Sequence, residues 1–425
     1  MKKVLIITYY WPPSGGSGVQ RWLKFAKYLP QHGWEPVIFT PENPSFEVED
    51  ASLVADVSKD IEVVKLPIWE PYVFVNKIKN KNSKQSDLVK KKDKGLLTKM
   101  VLWLRGNLFI PDPRVFWVKP AVKVLQDFVS TNNIDVIVTT GPPHSMHLIG
   151  LQLKHRTGVK WLADFRDPWS TWSLFDNFYL TSWVRKRHRK LESKVLKYAD
   201  VVTTVSKYCA KEISELGNRE VKVITNGFDD ADFQNIERRK PEEFIIRHIG
   251  LIDEVRPQSF LTAVKQLTSE GLKLQVEFIG SINQALKHEV QEDPLLKNVI
   301  SFVSYIPHEQ VLKLYQQTAV LLLITLNSQN DQGTLPGKFF EYLASGRPIL
   351  AIGPTDGDLS EALRNCNAGN IAEFDDVEAI KSYIRNYYVL HQQNALEINT
   401  SEEIACYSRS KLTEGLAKIL NNMGA

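Results

Sequence analysis

The chain has 425 residues, 43% of them hydrophobic and 24% charged, which is too long for one ordinary core and of globular composition, so two domains are expected. Three widely spaced cysteines, Cys209, Cys366 and Cys406, with no CxxC, argue against a disulfide framework or zinc knuckle and point to reduced thiols in a cytoplasmic setting. The net charge of +4 hides an asymmetry: residues 1–225 carry 35 Lys and Arg against 22 Asp and Glu, and residues 226–425 carry 18 against 27, so the first half is the one expected to face an anionic partner.

Taken in chain order, "MKKVLIITYYWPP" joins two lysines to an apolar run too short for a secretory signal and without a cleavage site, and reads as a first strand. Further β-rich runs follow at helix-length intervals: "PVIFT", "IEVVKLP", "DVIVTTG", "KWLADF", "DVVTTVS" and "VKVITNG". After the polar stretch "DDADFQNIERRKPEE" the pattern restarts with "FIIRHIG", "LQVEFIG", "VISFVSYI", "VLLLITL" and "PILAIG". This alternation predicts two tandem Rossmann-like, doubly wound α/β domains, residues 1–238 and 239–404, followed by a C-terminal helix, 405–425, returning to the first domain. Ligands of such sheets lie at the carboxyl ends of the strands, so the inter-domain cleft is the expected site. The run "AVLLLITL" is far short of the roughly 20 residues a membrane-spanning helix needs.

Two regions depart from the alternation. Residues 77–100 hold nine lysines and two aspartates and run into the aromatic "VLWLRGNLFIPDPRVFW"; with "TSWVRKRHRKLESK" at 181–194 they predict peripheral contact with an anionic membrane on its cytoplasmic face. A solvated basic surface is the alternative.

The first candidate site is "GGSGVQRW". It matches neither GxGxxG nor a P-loop, but Gly15, Gly16 and Gly18 allow close backbone approach at a helix start. Arg21, Lys24 and Lys27 follow with no acid before Glu35, so an anion is expected there; a plain turn is the other reading. In "GTLPGKFFEYLASGRPIL", Pro336 suits a first helical position and Gly346 a C-terminal stop. Lys338 and Glu341 then share one helix face, as an anion-binding lysine beside a carboxylate for vicinal hydroxyls, or as a surface salt bridge.

The glycine loop, "VITNGFD", "HIGLID" and "GKFFEYLASGRPIL", in this order, resemble the family 4 glycosyltransferases of the GT-B fold over nearly the whole chain. The resemblance implies a retaining transfer of sugar from a nucleotide diphosphate sugar to an acceptor hydroxyl, serving envelope polysaccharide or glycolipid synthesis. It implies that Glu341 holds the ribose hydroxyls and that Lys338 and Arg256 meet the diphosphate. Gly250 would let the diphosphate approach the backbone, with Asn226 and the Gly15, Gly16 and Gly18 loop also on the donor. It further implies that the first domain takes the acceptor, lipid-linked or glycan.

Departures are equally legible. The family's E-x7-E spacing places Gly333 where a first glutamate is usual, and its usual first-domain histidine is missing, "DFRDPW" standing at that strand end. Arg166 and Asp167 are the candidates there for donor sugar or phosphate, or form an Arg–Asp pair that fixes a loop. His144, in "GPPHSMHLIG", either orients an acceptor hydroxyl or is structural. The "DAD" at 230–232 and "DGD" at 356–358 resemble the metal-binding DxD of another glycosyltransferase fold, but a metal would duplicate Arg256 and Lys338, so no metal or other cofactor is expected. Nucleic acid is not expected as a partner. The rival readings are a GT-B-like sugar-nucleotide epimerase or hydrolase, a non-catalytic nucleotide-sugar-binding relic, and an NAD oxidoreductase, which the absence of GxGxxG opposes.

Overall fold

The computed structural model describes residues 1–46, 48–71, 96–234, 239–252, 257–327 and 331–424. The chain divides into two compact units, Met1–Thr225 with Leu412–Ala425, and Asn226–Lys411.

Among the described residues, the first unit is built on a seven-stranded, fully parallel sheet. Its strands are β1 (Lys2–Ile7), β2 (Trp34–Pro41), β3 (Glu62–Leu66), β4 (Val136–Gly141), β5 (Lys160–Phe165), β6 (Val201–Thr204) and β7 (Lys222–Val223), in spatial order β3-β2-β1-β4-β5-β6-β7. The central strands are apolar on both faces, because helices cover both: Val4, Leu5, Ile6 and Ile7 of β1 and Val136, Ile137 and Val138 of β4 are buried. One face packs against the helices Val115–Thr131 and Ser145–Thr157 through Trp117, Leu125, Ile149 and Leu153. The other packs against the helix Ser17–Tyr28 and the C-terminal helix Arg409–Met423, whose Leu416, Ala417, Leu420 and Met423 close over Val4, Ile6 and Trp34. Trp34 also donates its indole N–H to Asn421 at 3.0 Å, fixing that helix in place.

The second unit repeats the arrangement with β8 (Ile245–Ile249), β9 (Gln275–Ile279), β10 (Ile300–Val303), β11 (Val320–Ile324), β12 (Ile349–Ile352) and β13 (Gly369–Ala372), in the order β10-β9-β8-β11-β12-β13, all parallel. Counted from its own first strand, this is the 3-2-1-4-5-6 order of the doubly wound fold. Each unit therefore has a switch point, between β1 and β4 and between β8 and β11, where ligands of such sheets bind.

The unit boundaries fall at 225/226 and 411/412, whereas the sequence pattern places them at 238/239 and 404/405. The polar stretch is held by the second unit: Phe228 N–H donates to the Tyr407 carbonyl at 3.1 Å, and Arg409 N–H to the Phe228 carbonyl at 2.8 Å. A short 3-10 turn, Glu402–Tyr407, precedes the C-terminal helix, which starts at Arg409.

Candidate active site

In the second unit, the helix Gly337–Ser345 starts beside the carboxyl end of β8. Pro336 is its N-cap, one position before the first helical residue, and Gly346 ends it in the left-handed conformation at φ 71°. Its first turn carries no acid, so the unpaired N–H groups there favour an external anion. Lys338 lies in that turn with its Nζ 3.2 Å from His248 Nε2. His248 sits on β8, buried, and its Nδ1 lies 3.0 Å from the Leu322 carbonyl of β11. The Nδ1–H donates to that carbonyl, which leaves the Nε2 lone pair to accept from the ammonium. Burial, and then the Lys338 charge, hold His248 well below its ordinary pKa. Burial also lowers Lys338, to about 8.

The partner of this lysine is thus neutral, and its positive charge stays uncompensated within the pair. Gly250, just past β8, has φ 130°, and a Cβ built there would stand 2.8 Å from Lys338 Nζ. Behind it Gly280, φ 121°, approaches so closely that a Cβ would meet the Gly250 carbonyl at 2.5 Å. Both positions need glycine for conformation and for space. The result is a bare backbone ledge with an ammonium over it.

Glu341, one turn along the same helix, faces other partners. Its Oε2 accepts from the Tyr315 hydroxyl at 2.9 Å, and its Oε1 lies 3.4 Å from His308 Nε2. Burial, reinforced by the nearby Glu341 charge, pushes Tyr315 well above its ordinary pKa, so it remains a donor. With its side chain about one-third exposed (32%), Glu341 keeps capacity to accept further hydrogen bonds. Tyr342, fully buried, accepts from Ile249 N–H at 3.0 Å and locks the helix to the end of β8. Arg347 donates to the Tyr315 and Gln316 carbonyls at 2.9 and 2.7 Å, steadying the tyrosine that orients Glu341. Lys338 and Glu341 therefore turn to different partners, and the surface salt bridge between them does not form.

Asn226, the first residue of this unit, has a buried side-chain oxygen without a hydrogen-bond partner among the described residues. Arg256 lies outside the described residues. Of the two acidic patterns, Asp230 accepts from Ser410 N–H at 3.2 Å and Asp356 from the Gln332 amide at 3.0 Å. No group of three or more His, Cys, Asp or Glu side chains among the described residues is arranged to hold a metal ion.

In the first unit the basic helix has a different explanation from the anion its sequence predicts. Arg21, 1% exposed, forms a two-pronged ion pair with Asp164 of β5 at 2.8 and 3.0 Å, and donates to the Ile224 and Thr225 carbonyls. Asp164 also accepts from Trp22, Thr140 and Thr203. Burial would raise its pKa, but Arg21 and these hydrogen bonds outweigh that and lower it. Lys24 pairs with Asp56 at 2.7 Å. These cations answer protein carboxylates, an arrangement spacing along the helix does not reveal.

The glycine loop itself is pinned by backbone bonds, Gly15 N–H to the Val48 carbonyl at 2.9 Å and Asp50 N–H to the Pro13 carbonyl at 2.8 Å. Gly16 caps the helix at φ 90°, and a Cβ at Gly18 would stand 2.6 Å from Arg166 Nη1. Arg166 donates to the carbonyls of Gly18, at 2.7 Å, and Pro142. It thereby fastens the loop after β1 to the loop after β4. Asp167 follows it, its pKa raised by burial against the lowering effect of Arg166. His144, 3% exposed, stacks on Trp169 with centroids 4.8 Å apart and planes 1° from parallel.

The family model for glycosyltransferase family 4 matches residues 16–232, and that for glycosyl transferases group 1 matches residues 243–388. The chain belongs to glycosyltransferase family 4. Solved structures show the same GT-B architecture at low identity. A glycosyltransferase from Rickettsia africae is 14% identical with a TM-score of 0.64, covering 99% of this chain and 98% of its own. Sucrose-phosphate synthase from Thermosynechococcus elongatus is 13% identical with a TM-score of 0.62, covering 100% and 99%. Anabaena HepE, solved in complex with UDP, is 13% identical with a TM-score of 0.62, covering 99% and 100%. No curated protein sequence matches.

Within this glycosyltransferase, sequence reasoning singled out Lys338, Glu341 and Gly250, and the fold brings Lys338 against Gly250. It missed His248, Tyr315, His308 and Tyr342. A signal for His248 was present: with Arg247 it interrupts the apolar run of "FIIRHIG", two positions before Gly250. Tyr315 and His308 lie on a different helix, His308–Gln316, and carried no such mark.

Proposed function

We propose that this glycosyltransferase moves a sugar from a nucleotide diphosphate sugar to an acceptor hydroxyl with retention of anomeric configuration. The observation that carries the donor assignment is the Lys338 ammonium, held by the neutral His248 over the Gly250 backbone at the start of a helix. A diphosphate on that ledge meets a net positive charge and unpaired N–H groups, and Glu341 accepts from the ribose hydroxyls. That HepE was solved with UDP and with UDP-glucose supports the same donor class. As the bond from the anomeric carbon to the phosphate oxygen breaks, negative charge grows on the departing diphosphate, and Lys338 stabilises it. The acceptor oxygen bonds to the anomeric carbon on the same face, and its proton passes to the leaving phosphate oxygen. Asn226 belongs to the donor surroundings in this reading, with no cofactor called for, and His144 of the first unit lies on the acceptor side.

The acceptor is a lipid-linked or envelope glycan, met at the cytoplasmic face of an anionic membrane. Two surfaces of the first unit support this, although residues 77–95 of the lysine-rich segment lie outside the described ones. The helix Leu96–Leu108 exposes Leu96, Met100, Trp103, Leu104 and Leu108 along one side. Asn107 accepts from Thr181 N–H at 2.9 Å, joining its end to the helix Ser182–Tyr198, whose exposed charged side chains, from Arg185 to Lys197, are all basic. Exposed Trp183 stands at the start of that helix under Arg187, at 5.3 Å. Apolar insertion beside a basic face is the pattern of interfacial binding, with about 1 kcal/mol per basic residue near the surface. No helix among the described residues is long and apolar enough to cross a membrane.

Titration of UDP-, GDP- and other nucleotide sugars into the protein, monitored by thermal shift, tests the donor. A saturating ligand at 100 times its Kd stabilises by about 2.7 kcal/mol. Lack of a shift with every donor rejects the reading, and steady release of free sugar or an epimer without acceptor favours a hydrolase or epimerase. Sedimentation with anionic and neutral liposomes at low salt tests the membrane, equal binding to both being the contrary result.

A further inference from the structure

The first unit has a half-open pocket of about 130 Å³ beyond the carboxyl end of β4, at the switch point of its sheet. Aromatic rings and prolines make most of its wall, among them Phe109, Trp172, Phe175, Phe178, Pro142 and Pro143. Several polar side chains also reach it, and the question is which of them has bonding capacity left for a guest.

Asp112 accepts from Ser145 N–H at 2.8 Å, from the Ser145 hydroxyl at 2.9 Å and from Arg114 N–H at 3.0 Å. Arg114 is held by Glu70 at 3.0 Å and by the Tyr9 hydroxyl at 3.2 Å. His188 accepts the Trp169 indole N–H at 3.0 Å. His144 differs from all three: it is buried, lines the cavity, and neither of its ring nitrogens has a hydrogen-bond partner among the described residues. Burial, and then the charges of neighbouring His147, His188 and Arg166, keep its imidazole neutral, so it offers one donor and one acceptor. A buried polar group left without a partner costs about 1–3 kcal/mol, which a guest supplying that partner recovers.

The wall decides what kind of guest. Ordered water needs two to four polar partners, and with Asp112 and Arg114 already held by protein groups and aromatic rings and prolines making most of the wall, the unpartnered His144 is a poor host for it. A cavity of about 150 Å³ with apolar walls is known to accept a benzene-sized ring, so the dimensions here suit a single ring. A fully hydroxylated hexose suits the chemistry less well, since each hydroxyl set against the ring and proline wall without a partner carries that same penalty of about 1–3 kcal/mol.

We propose that this cavity seats a ring-sized, largely apolar group of the acceptor bearing one hydrogen-bonding atom, which is met by His144. The proposal rests on the reading that the acceptor lies on the first unit, and it narrows that acceptor to one whose group in this cavity is aryl, deoxy or acyl-substituted rather than fully hydroxylated.

The test uses phenol, toluene and methyl glucoside as probes on the full chain, followed by ligand-observed NMR and by the 15N shifts of labelled histidine. Phenol should bind and move the His144 resonances, and methyl glucoside should not displace it. His144→Phe, which keeps the stack on Trp169, should weaken phenol roughly tenfold, about 1.4 kcal/mol, while leaving toluene unchanged. Leu180→Trp, which fills the cavity from another wall, should weaken both probes. The proposal is overturned if phenol does not bind, if methyl glucoside displaces it, or if both variants bind phenol like the parent. Transfer assays with and without phenol separate the two layers of the argument. Phenol that binds in the cavity but leaves transfer unaffected overturns the assignment to the acceptor. A parallel UDP titration that shows no binding counts against the donor reading and not against the cavity.

Discussion

The two units share one strand order and each places cationic side chains near the carboxyl ends of its strands, yet the cations have opposite surroundings. In the first unit Arg21 meets the buried Asp164 and Lys24 meets Asp56. In the second, Lys338 meets an imidazole that burial keeps neutral. A cation whose charge is cancelled by a carboxylate holds the fold together. One facing a neutral acceptor keeps its net charge, and an anionic ligand is what lowers its energy. Basic side chains on helices of the two sheets thus differ in the charge of the partner, and on the proposed reading that difference separates a structural role in the first unit from donor recognition in the second.

The largest expected effect lies on the structural side. Arg21→Met removes one member of a buried ion pair and leaves Asp164 charged at 0% exposure, so urea unfolding should show a loss of about 3–5 kcal/mol. Arg21→Lys should recover little of it, because an ammonium cannot reproduce the two-pronged geometry and the carbonyl contacts. A loss below about 1 kcal/mol would put Arg21 in the same class as Lys338 and break the comparison.

On the recognition side the effects should be smaller and fall on binding. Glu341→Ala should weaken donor binding by about 1.5–3 kcal/mol, the range for hydrogen bonds to a charged group, with turnover at saturating donor suffering less. Lys338→Ala should lower kcat as well as affinity, since its charge acts most strongly on the diphosphate in the transition state. Near-normal kinetics in both variants would remove this helix from the active site.

Gly250→Ala comes next, because it strains the backbone at φ 130° and drives a methyl towards Lys338 Nζ. A cost of about 1–3 kcal/mol in stability is expected, together with weaker donor binding from the displaced ammonium. Loss of stability with intact donor affinity would mean that the ledge is not where the diphosphate lies.

The pH dependence is the subtlest test and has two opposite signs. Lys338 titrates at about 8 in the folded chain against 10.5 for an ordinary lysine, so between these values the unfolded chain binds more protons and stability rises with pH. Donor affinity should fall over the same range, as the ammonium loses its proton above pH 8. The difference between parent and Lys338→Met should contain the stability rise, and Lys338→Arg should abolish the decline in affinity near pH 8. A parent and Lys338→Met pair with parallel stability profiles from pH 8 to 10.5 would show that the lysine is not buried as described.

Much of this was legible before folding. Alternating apolar runs and helix-length spacers reveal strands and helices because periodicity is a property of neighbours in sequence, and the restart after residue 240 marks the second sheet. Glycines such as Gly250 and Gly346 stand out because glycine takes positive φ most readily, and the spacing of Lys338 and Glu341 puts them on one helix face whatever surrounds it. What each charge would face was not legible. Arg21 and Asp164 are 143 residues apart, and Lys338 and His248 are 90 apart; only the strand order, which runs β1 beside β4 and β8 beside β11, brings such groups together. The basic run after the glycine loop therefore looked like an anion site when read along the helix, whereas in three dimensions its Arg21 and Lys24 pair with Asp164 and Asp56. The aromatic cavity around His144 arises in the same way, from the loop after β4, the helix Leu96–Leu108 and the turn at Ser173–Phe178. Sequence determined the elements and the residues fit for chemistry; tertiary structure decided which of them would be neutralised, because the energy of a charge depends on its partner and its burial, and both are set by packing.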